Sequence, residues 1–357
     1  MDSPFLWRRF VTTFLAALAL AGAALTGFIA IVDPYGIRVR AGDAPRPIVD
    51  INQRYMYPQI ARSHRFNAAV FGTSSLRLLD PEELDGLLGA PGRPVRFANL
   101  AMNAATPWEQ MQLARLFVAA EPAPAALVFG LDRAWCDADA DAQARRLTFR
   151  AFPVRFYDDD RWNDWRDALN LKTLEIAGRL VSHRLGLRDT SLREDGYGIF
   201  VPPDAFYDVE RARLHLRRVS SAEDLPASPA EAAVGWRFPA SAWLDDLLRT
   251  LPTETRVFLV FPPAHASALP LPGSRADEME RACKAHFAML GARRNATVLD
   301  FRRPSAMTRE DANFWDPLHY RLPFASRIAR LLADPQPSDD FVAVMHRRAP
   351  SPPSSRR

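Results

Sequence analysis

Two short segments, far apart in the chain, together contain the residue types needed for acyl transfer. Residues 69–75 form a short apolar stretch that ends in a glycine, a threonine and two serines. Residues 316–320 place the Asp316 carboxylate three positions before the His319 imidazole. A serine hydroxyl, an imidazole base and a carboxylate that orients the base form the triad of many hydrolases. The sequence therefore predicts Ser74 as nucleophile, His319 as base and Asp316 as its partner.

Each of these patterns also has an ordinary structural explanation. A glycine followed by small hydroxyl residues is common where a strand turns into a helix, and an aspartate readily caps a short turn. Ser75, one position past Ser74, is a second candidate for the nucleophile. The two segments make one site only if the fold brings them together.

Short apolar segments alternate with capped, amphipathic segments along most of the chain. Helix starts are marked at Asp80 and Thr106, each followed by a proline and then by acidic residues. Such alternation predicts an α/β fold with five parallel strands covered on both faces. Ligands bind beyond the carboxyl ends of such strands, where Ser74, Asn103 and Asp132 would lie. The predicted strands cover residues 67–71, 95–100, 125–131, 256–261 and 297–301, and further helices cover 242–251, 275–290 and 323–332.

The N-terminal region predicts a membrane-spanning helix. The segment from Phe10 to Val32 contains no charge and is long enough to cross a bilayer, which takes ~20 residues. Arg8 and Arg9 precede it, so the positive-inside rule places residues 1–9 in the cytoplasm and the remainder in the periplasm. The prediction is a single-pass anchor in the inner (cytoplasmic) membrane. A cleaved signal peptide is the alternative, because the small residues of this segment resemble a cleavage site.

The remaining residues divide into a linker, a domain and a tail. Residues 33–65 are predicted as a polar linker and residues 66–334 as the α/β domain. Residues 137–240 interrupt the alternation and are predicted as an insertion, with helical spacing over residues 160–185. Residues 335–357 are rich in Pro, Ser and Arg and are predicted to be disordered.

Composition argues against several classes of function. The net charge of +4 is small and the basic residues are interspersed with acidic ones, so nucleic-acid binding is not expected. No spacing of cysteines and histidines indicates a metal site, and no cofactor is predicted. Cys136 and Cys283 can pair in an oxidising compartment or remain as two buried thiols, and the sequence leaves both alternatives open.

In the order and placement of its motifs, the chain resembles the SGNH hydrolase superfamily, also called GDSL-like esterases and acyltransferases. Residues 72–74 match the first block of that family, and residues 316–319 match the last, Asp-x-x-His. Residues 99–104 resemble the second block and residues 130–132 the third. The resemblance extends from about residue 67 to residue 332. It implies a flavodoxin-like three-layer sandwich with about five parallel strands, preceded here by one transmembrane helix.

The resemblance also implies an oxyanion hole, in which the chain departs from the family pattern. The family uses backbone N–H groups of the nucleophile and of a glycine, together with an asparagine side chain. Here Ala101 stands at the glycine position and Asp132 at the asparagine position. An ionised Asp132 would repel the oxyanion, and loss of one donor costs about 3–4 kcal/mol. We expect Asn103 to supply the amide instead; a protonated Asp132, or weak or absent activity, are the alternatives.

His265 is a further candidate for substrate binding. It follows the fourth predicted strand, on the edge of the sheet where Ser74 is expected. A loop histidine in such a place more commonly has a structural role or is simply solvated, and the sequence does not distinguish these outcomes.

The anchor and the divergent domain together resemble a bacterial branch of the superfamily that helps to acylate cell-surface polymers. Its members include alginate acetylation proteins and the teichoic-acid D-alanylation protein. We therefore expect a membrane-anchored serine esterase or O-acyltransferase acting on acyl groups of an extracytoplasmic glycan. The expected partners are an acylated glycan or acyl donor and, as a further candidate, a membrane acyltransferase. The alternative is a non-catalytic glycan-binding or scaffold subunit of a polysaccharide modification or export complex.

Overall fold

The chain folds as an α/β structure around one six-stranded sheet. A computed structural model describes residues 4–92, 94–217, 225–226, 235–336 and 340–349. The strands are β1 (Ala68–Phe71), β2 (Phe97–Asn99), β3 (Ala126–Gly130), β4 (Arg256–Phe261), β5 (Thr297–Asp300) and β6 (Ala343–His346). Their order in the sheet is β2-β1-β3-β4-β5-β6. The first five strands are parallel to their neighbours, and β6 runs antiparallel to β5.

Helices connect the strands and extend the chain at its N-terminus. They are α1 (Pro4–Val32), α2 (Gln53–Ala61), α3 (Pro81–Leu88), α4 (Pro107–Ala120), α5 (Asp164–Ala168), α6 (Leu171–Arg184), α7 (Val209–His215), α8 (Ala240–Thr250), α9 (Arg275–Arg293), α10 (Ala306–Arg309) and α11 (Leu322–Ala333). The predicted caps are in place. Asp80 accepts a hydrogen bond from the second N–H of α3, and Thr106 forms a capping box with Glu109 at the start of α4.

The α/β fold and its five parallel strands confirm the prediction from sequence. Both faces of the sheet are buried, and successive side chains of a strand contribute to different parts of the core. On β1, Ala69 and Phe71 pack with Phe117 and Phe129. The alternate residues of that strand pack in a second cluster with residues of α3 and α11. Because both faces are covered, the strands are continuous apolar runs, which is why their positions could be predicted.

Two segments differ from the prediction. Residues 33–65 are not only a linker, because α2 lies within them and buries Met56, Tyr57 and Ile60. Pro58 lies inside that helix, a position where proline is unfavourable, so the sequence argued against a helix there. Within the tail, the prediction of disorder is wrong for β6, which pairs with β5. The other tail residues 337–339 and 350–357 lie outside the described residues.

At the N-terminus, one helix is long and apolar enough to cross a membrane, over residues Phe5–Val32. It begins at Pro4, earlier than the predicted start at Phe10. Most of its apolar side chains are exposed, whereas Ile29 and Val32 near its end are buried. This last part of α1 packs against α6, which belongs to the predicted insertion.

Cys136 and Cys283 form a disulfide bond, which decides between the two alternatives left open by the sequence. The bond joins the loop after β3 to α9, across 147 positions of the chain. Both cysteines are buried. The covalent link therefore fixes the loop that carries Asp132 to the helix beside it.

Candidate active site

Ser74 lies just beyond the carboxyl end of β1, at the start of a short 3-10 helix, Ser74–Leu76. The hydroxyl of Thr73 caps this helix by accepting a backbone N–H at 3.4 Å. Glycine at position 130, at the end of β3, leaves room for the Leu76 side chain, because a Cβ there would lie 2.7 Å from Leu76 Cδ1. The chain therefore turns sharply after β1 and leaves the Ser74 side chain partly exposed at the edge of the sheet.

Asp316 and His319 share a tight loop closed by a bridge between Phe314 and Tyr320. Asp316 Oδ1 accepts the N–H of Leu318 at 2.8 Å and that of His319 at 3.0 Å. Its second oxygen, Oδ2, lies 2.7 Å from His319 Nδ1. Burial raises the pKa of Asp316, but the hydrogen bonds from His319 and the loop N–H groups outweigh it and leave the pKa below its ordinary value. The carboxylate is therefore charged at neutral pH and holds Nδ1 protonated.

The fold brings the three predicted triad residues together. Ser74 Oγ lies 2.8 Å from His319 Nε2, within hydrogen-bond distance, although the two residues are 245 positions apart. With Nδ1 protonated and facing Asp316, Nε2 is free to accept the serine proton. Ser75, the second candidate, instead places its hydroxyl 3.1 Å from that of Thr73. The geometry thus favours Ser74 as the residue paired with the base.

Asn103 and Ala101 lie on the loop after β2, beside the loop that carries Ser74. The N–H of Met102 donates to the carbonyl of Gly72 at 3.0 Å and joins the two loops. The Ala101 N–H, expected to face an oxyanion, already donates to Asn99 Oδ1 at 3.1 Å. Asn103 Oδ1 accepts from Arg77 Nη1 at 2.9 Å. Of these two predicted donors, the Ala101 N–H is engaged, whereas Asn103 Nδ2 has no hydrogen-bond partner among the described residues.

Asp132 follows β3 and caps the next short helix through Oδ1, which accepts the Ala134 N–H at 3.2 Å. Its other oxygen, Oδ2, is buried without a hydrogen-bond partner among the described residues. Burial raises the pKa of Asp132 to about 6, while Thr73 and Arg302 partly oppose the rise. The carboxyl is therefore neutral in mild acid and charged above pH 6, next to the loop that carries Ser74.

His265 supports the loop of Asp316 and His319 from the side of β4. The backbone N–H of His265 donates to the carbonyl of Pro317 at 2.8 Å. Both ring nitrogens are engaged: Nδ1 lies 2.9 Å from Ser267 Oγ, and Nε2 lies 3.2 Å from Asp311 Oδ1. Burial lowers the pKa of His265, and Asp311 partly opposes that effect. The histidine is buried and braces the loop, which corresponds to the structural alternative for this residue.

Sequence reasoning did not find Phe200, which the insertion places against the His319 ring. The Phe200 ring contacts the His319 ring edge-on, with centroids 5.3 Å apart. The guanidinium of Arg77 lies over the Phe200 ring at 4.7 Å. Only the tertiary fold brings the insertion to the site, and no pattern in residues 137–240 marks this phenylalanine.

Among the described residues, no group of three or more His, Cys, Asp or Glu side chains could hold a metal ion. A cavity of about 770 Å³ lies at the opposite edge of the sheet, where Ala125 and Arg256 mark the amino ends of β3 and β4. It is therefore remote from Ser74. Comparison of the chain with protein-family models and with curated proteins gives no match.

Proposed function

We propose that this protein is a membrane-anchored extracytoplasmic serine esterase or O-acyltransferase of the SGNH type. The observation that carries the proposal is the continuous hydrogen-bond chain from Ser74 Oγ through His319 to Asp316, with distances of 2.8 and 2.7 Å. Such a chain at the carboxyl edge of a parallel sheet has the parts and the accessibility that acyl transfer requires.

In the proposed reaction, Ser74 Oγ attacks the carbonyl carbon of an ester or thioester while its proton moves to His319 Nε2. The tetrahedral intermediate collapses when the bond to the leaving alcohol or thiol breaks, and that group takes the proton from Nε2. Water or a sugar hydroxyl then gives its proton to Nε2 and attacks the acyl-serine. Collapse of the second intermediate releases the acid or the new ester and returns the proton to Ser74.

The donors proposed for the oxyanion are the Ser74 N–H and the Asn103 side-chain amide. Among the described residues, the Ser74 N–H makes no hydrogen bond to another protein group. The Ala101 N–H would first have to leave Asn99 Oδ1. Asp132 can donate only when it is protonated, below a pKa of about 6.

The proposed family and location have separate support. The strand order β2-β1-β3-β4-β5 is that of flavodoxin-like sheets, which suits a three-layer SGNH fold. The apolar helix α1 suits a single-pass anchor in the inner membrane, with residues 1–9 in the cytoplasm. The disulfide between Cys136 and Cys283 suits an oxidising compartment such as the periplasm. An acylated cell-surface glycan as substrate, and a membrane acyltransferase as partner, rest on the resemblance in sequence motifs.

The test uses the full-length protein in detergent micelles with p-nitrophenyl acetate as substrate. We expect Ser74→Ala to abolish hydrolysis and labelling by a serine-reactive fluorophosphonate. Ser75→Ala is the matched control and is expected to keep both. Equal rates for wild type and Ser74→Ala would refute the proposal.

A second candidate is a non-catalytic glycan-binding or scaffold subunit. The engaged Ala101 N–H and the acidic Asp132 favour it, because both weaken the oxyanion hole. A protein of this kind would bind an acetylated polysaccharide without labelling at Ser74, and its binding would survive Ser74→Ala.

A further inference from the structure

Arg77 lies next to the proposed nucleophile, Ser74, and its guanidinium is buried. The proposed reaction does not use this group. Its backbone N–H donates to the Ser74 carbonyl at 3.3 Å, so it follows the nucleophile within one turn. Only 4% of the residue is exposed. No carboxylate lies within 4.0 Å of it in the part of the chain that the structure describes, and its Nε is buried without a hydrogen-bond partner. A buried charge that lacks a counter-charge is costly, so its presence beside Ser74 requires an explanation.

The Arg77 side chain contacts Asn103, Phe200 and Tyr57. Nη1 donates to Asn103 Oδ1 at 2.9 Å, and the guanidinium rests on the Phe200 ring. Arg77 also lies close to the Tyr57 hydroxyl, where it opposes the rise that burial causes in the pKa of Tyr57. The Arg77 side chain is therefore fixed between α2, the insertion and the loop that carries Asn103.

This contact determines which way the Asn103 amide faces. A guanidinium has only donors, so the amide atom that faces it must be the oxygen. The Nδ2 group then points away from Arg77, and no acceptor in the described residues lies within hydrogen-bond distance of it. The backbone of Asn103 is held as well, because Arg54 Nη1 donates to its carbonyl at 3.1 Å. Arg54 is in turn fixed by Glu109, at 2.9 and 2.6 Å.

We propose that Arg77 is a positioning residue that turns the Asn103 amide so that its N–H donors face the oxyanion. This inference rests on the proposed function. The charge of Arg77, which forms no ion pair within 4.0 Å among the described residues, has a second effect, since it raises the electrostatic potential where negative charge develops in the tetrahedral intermediate. Preorganised donors and charges of this kind stabilise the transition state more than the ground state. The oxyanion site that Ala101 and Asp132 leave weak is thereby rebuilt from Arg77 and Asn103.

The central experiment compares Asn103→Asp with the wild type in p-nitrophenyl acetate hydrolysis. Aspartate keeps an oxygen for Arg77 and adds an ion pair, but it removes both N–H donors. We expect kcat to fall about 100- to 1000-fold, the loss typical of one oxyanion donor, with KM changed less than about threefold. The melting temperature is expected to stay at or above that of the wild type. If Asn103 has only a structural role, Asn103→Asp should keep the wild-type kcat and show a lower melting temperature.

Variants of Arg77 separate orientation from charge. Arg77→Gln keeps a donor for Asn103 Oδ1 without the charge, whereas Arg77→Met removes both. We expect kcat to fall in the order wild type, Arg77→Gln, Arg77→Met. Arg77→Met combined with Asn103→Ala is expected to lose less than the sum of the two single losses in activation free energy, because part of the effect of Arg77 passes through Asn103. If Arg77→Met does not fold, Arg77→Gln takes its place in the double variant with Asn103→Ala.

Two outcomes would overturn the inference and are distinguishable from failure of the proposed function. Wild-type kcat in Asn103→Asp, while Ser74→Ala is inactive, would leave the serine esterase in place and remove Arg77 and Asn103 from its mechanism. Fully additive losses of activation free energy in the double variant Arg77→Met, Asn103→Ala would show that Arg77 does not act through Asn103. Absence of Ser74 labelling and of Ser74-dependent hydrolysis in the wild type would instead refute the proposed function, and this inference with it.

Discussion

The hydroxyl of Tyr320 donates to the carbonyl of Ser75 at 2.6 Å, and so joins the residue after the base to the residue after the nucleophile. The two residues belong to different loops, 245 positions apart in sequence. Tyr320 is buried, and burial raises its pKa, so the hydroxyl remains a donor at every physiological pH. This bond holds the two halves of the proposed site at the separation that the contact between Ser74 and His319 needs.

Tyr320→Phe should therefore weaken both the fold and the reaction. The variant leaves the part-buried Ser75 carbonyl without this donor, and the loss costs at most about 1–3 kcal/mol of unfolding free energy, the penalty for a fully buried group. Small displacements of reacting groups lower rates steeply, so we expect kcat to fall about 10- to 100-fold. Urea unfolding and p-nitrophenyl acetate kinetics measure the two effects.

Tyr207→Phe is the matched control for this variant. It removes a hydroxyl that donates to the Asp311 carbonyl at 2.7 Å. Asp311 lies nine positions before Tyr320, in the segment of residues 311–320. We expect a loss of stability with kcat within about twofold of the wild type. Equal losses of kcat in both variants would mean that Tyr320 acts only through general stability.

Asp316→Asn is expected to lower kcat by about 10³- to 10⁴-fold without unfolding the protein, because an amide cannot stabilise the charged imidazole or hold its tautomer. Since Asp316 has a lowered pKa, its charge and its contribution to stability persist above the ordinary pKa of about 3.9 and disappear only as the pH falls through the lower, folded value. Loss of wild-type activity between pH 5 and 7 should therefore reflect groups other than Asp316. A pH–rate profile of kcat checks this. An Asp316→Asn variant with wild-type kcat would show that His319 does not need the carboxylate.

The parts of the site that could be predicted from sequence are those whose chemistry is local. The strands are continuous apolar runs, Asp80 and Thr106 carry cap signals, and the spacing of Asp316 and His319 fits one turn. Phe200 and Tyr320 could not be assigned in this way, because their roles depend on contacts with residues far away in sequence. The helix α2, which supplies Arg54, could not be predicted because proline inside a helix is unfavourable and Pro58 lies within it.

Asp132→Asn should stabilise the protein at neutral pH. Because the folded pKa of Asp132 is raised to about 6, the folded state keeps a proton that the unfolded chain loses near pH 4, and stability falls as the pH rises between these values. A difference of two pKa units corresponds to about 3 kcal/mol. We expect Asp132→Asn to exceed the wild type by about 2–3 kcal/mol at pH 7.5 and to match it near pH 4, as measured by urea unfolding.

The same variant is informative about catalysis. An asparagine at position 132 supplies an uncharged N–H donor in place of a carboxylate, so kcat at pH 7.5 should equal or exceed that of the wild type. Asp132→Ala is the control that removes the charge without adding a donor. A kcat well below that of the wild type in both Asp132→Asn and Asp132→Ala would indicate that the carboxylate itself takes part in the reaction.

Replacement of Cys136 and Cys283 by alanine should destabilise the fold through the unfolded state. The disulfide closes a loop of 147 positions, and loop-closure entropy for this length corresponds to about 5 kcal/mol at most. We expect the double alanine variant to lose about 2–5 kcal/mol in urea unfolding, and the wild type to lose a similar amount when it is unfolded with a reductant present. Cys283→Ala alone should behave like the double variant, since either change opens the loop. A variant as stable as the oxidised wild type would mean that the link between Asp132's loop and α9 does not constrain the chain.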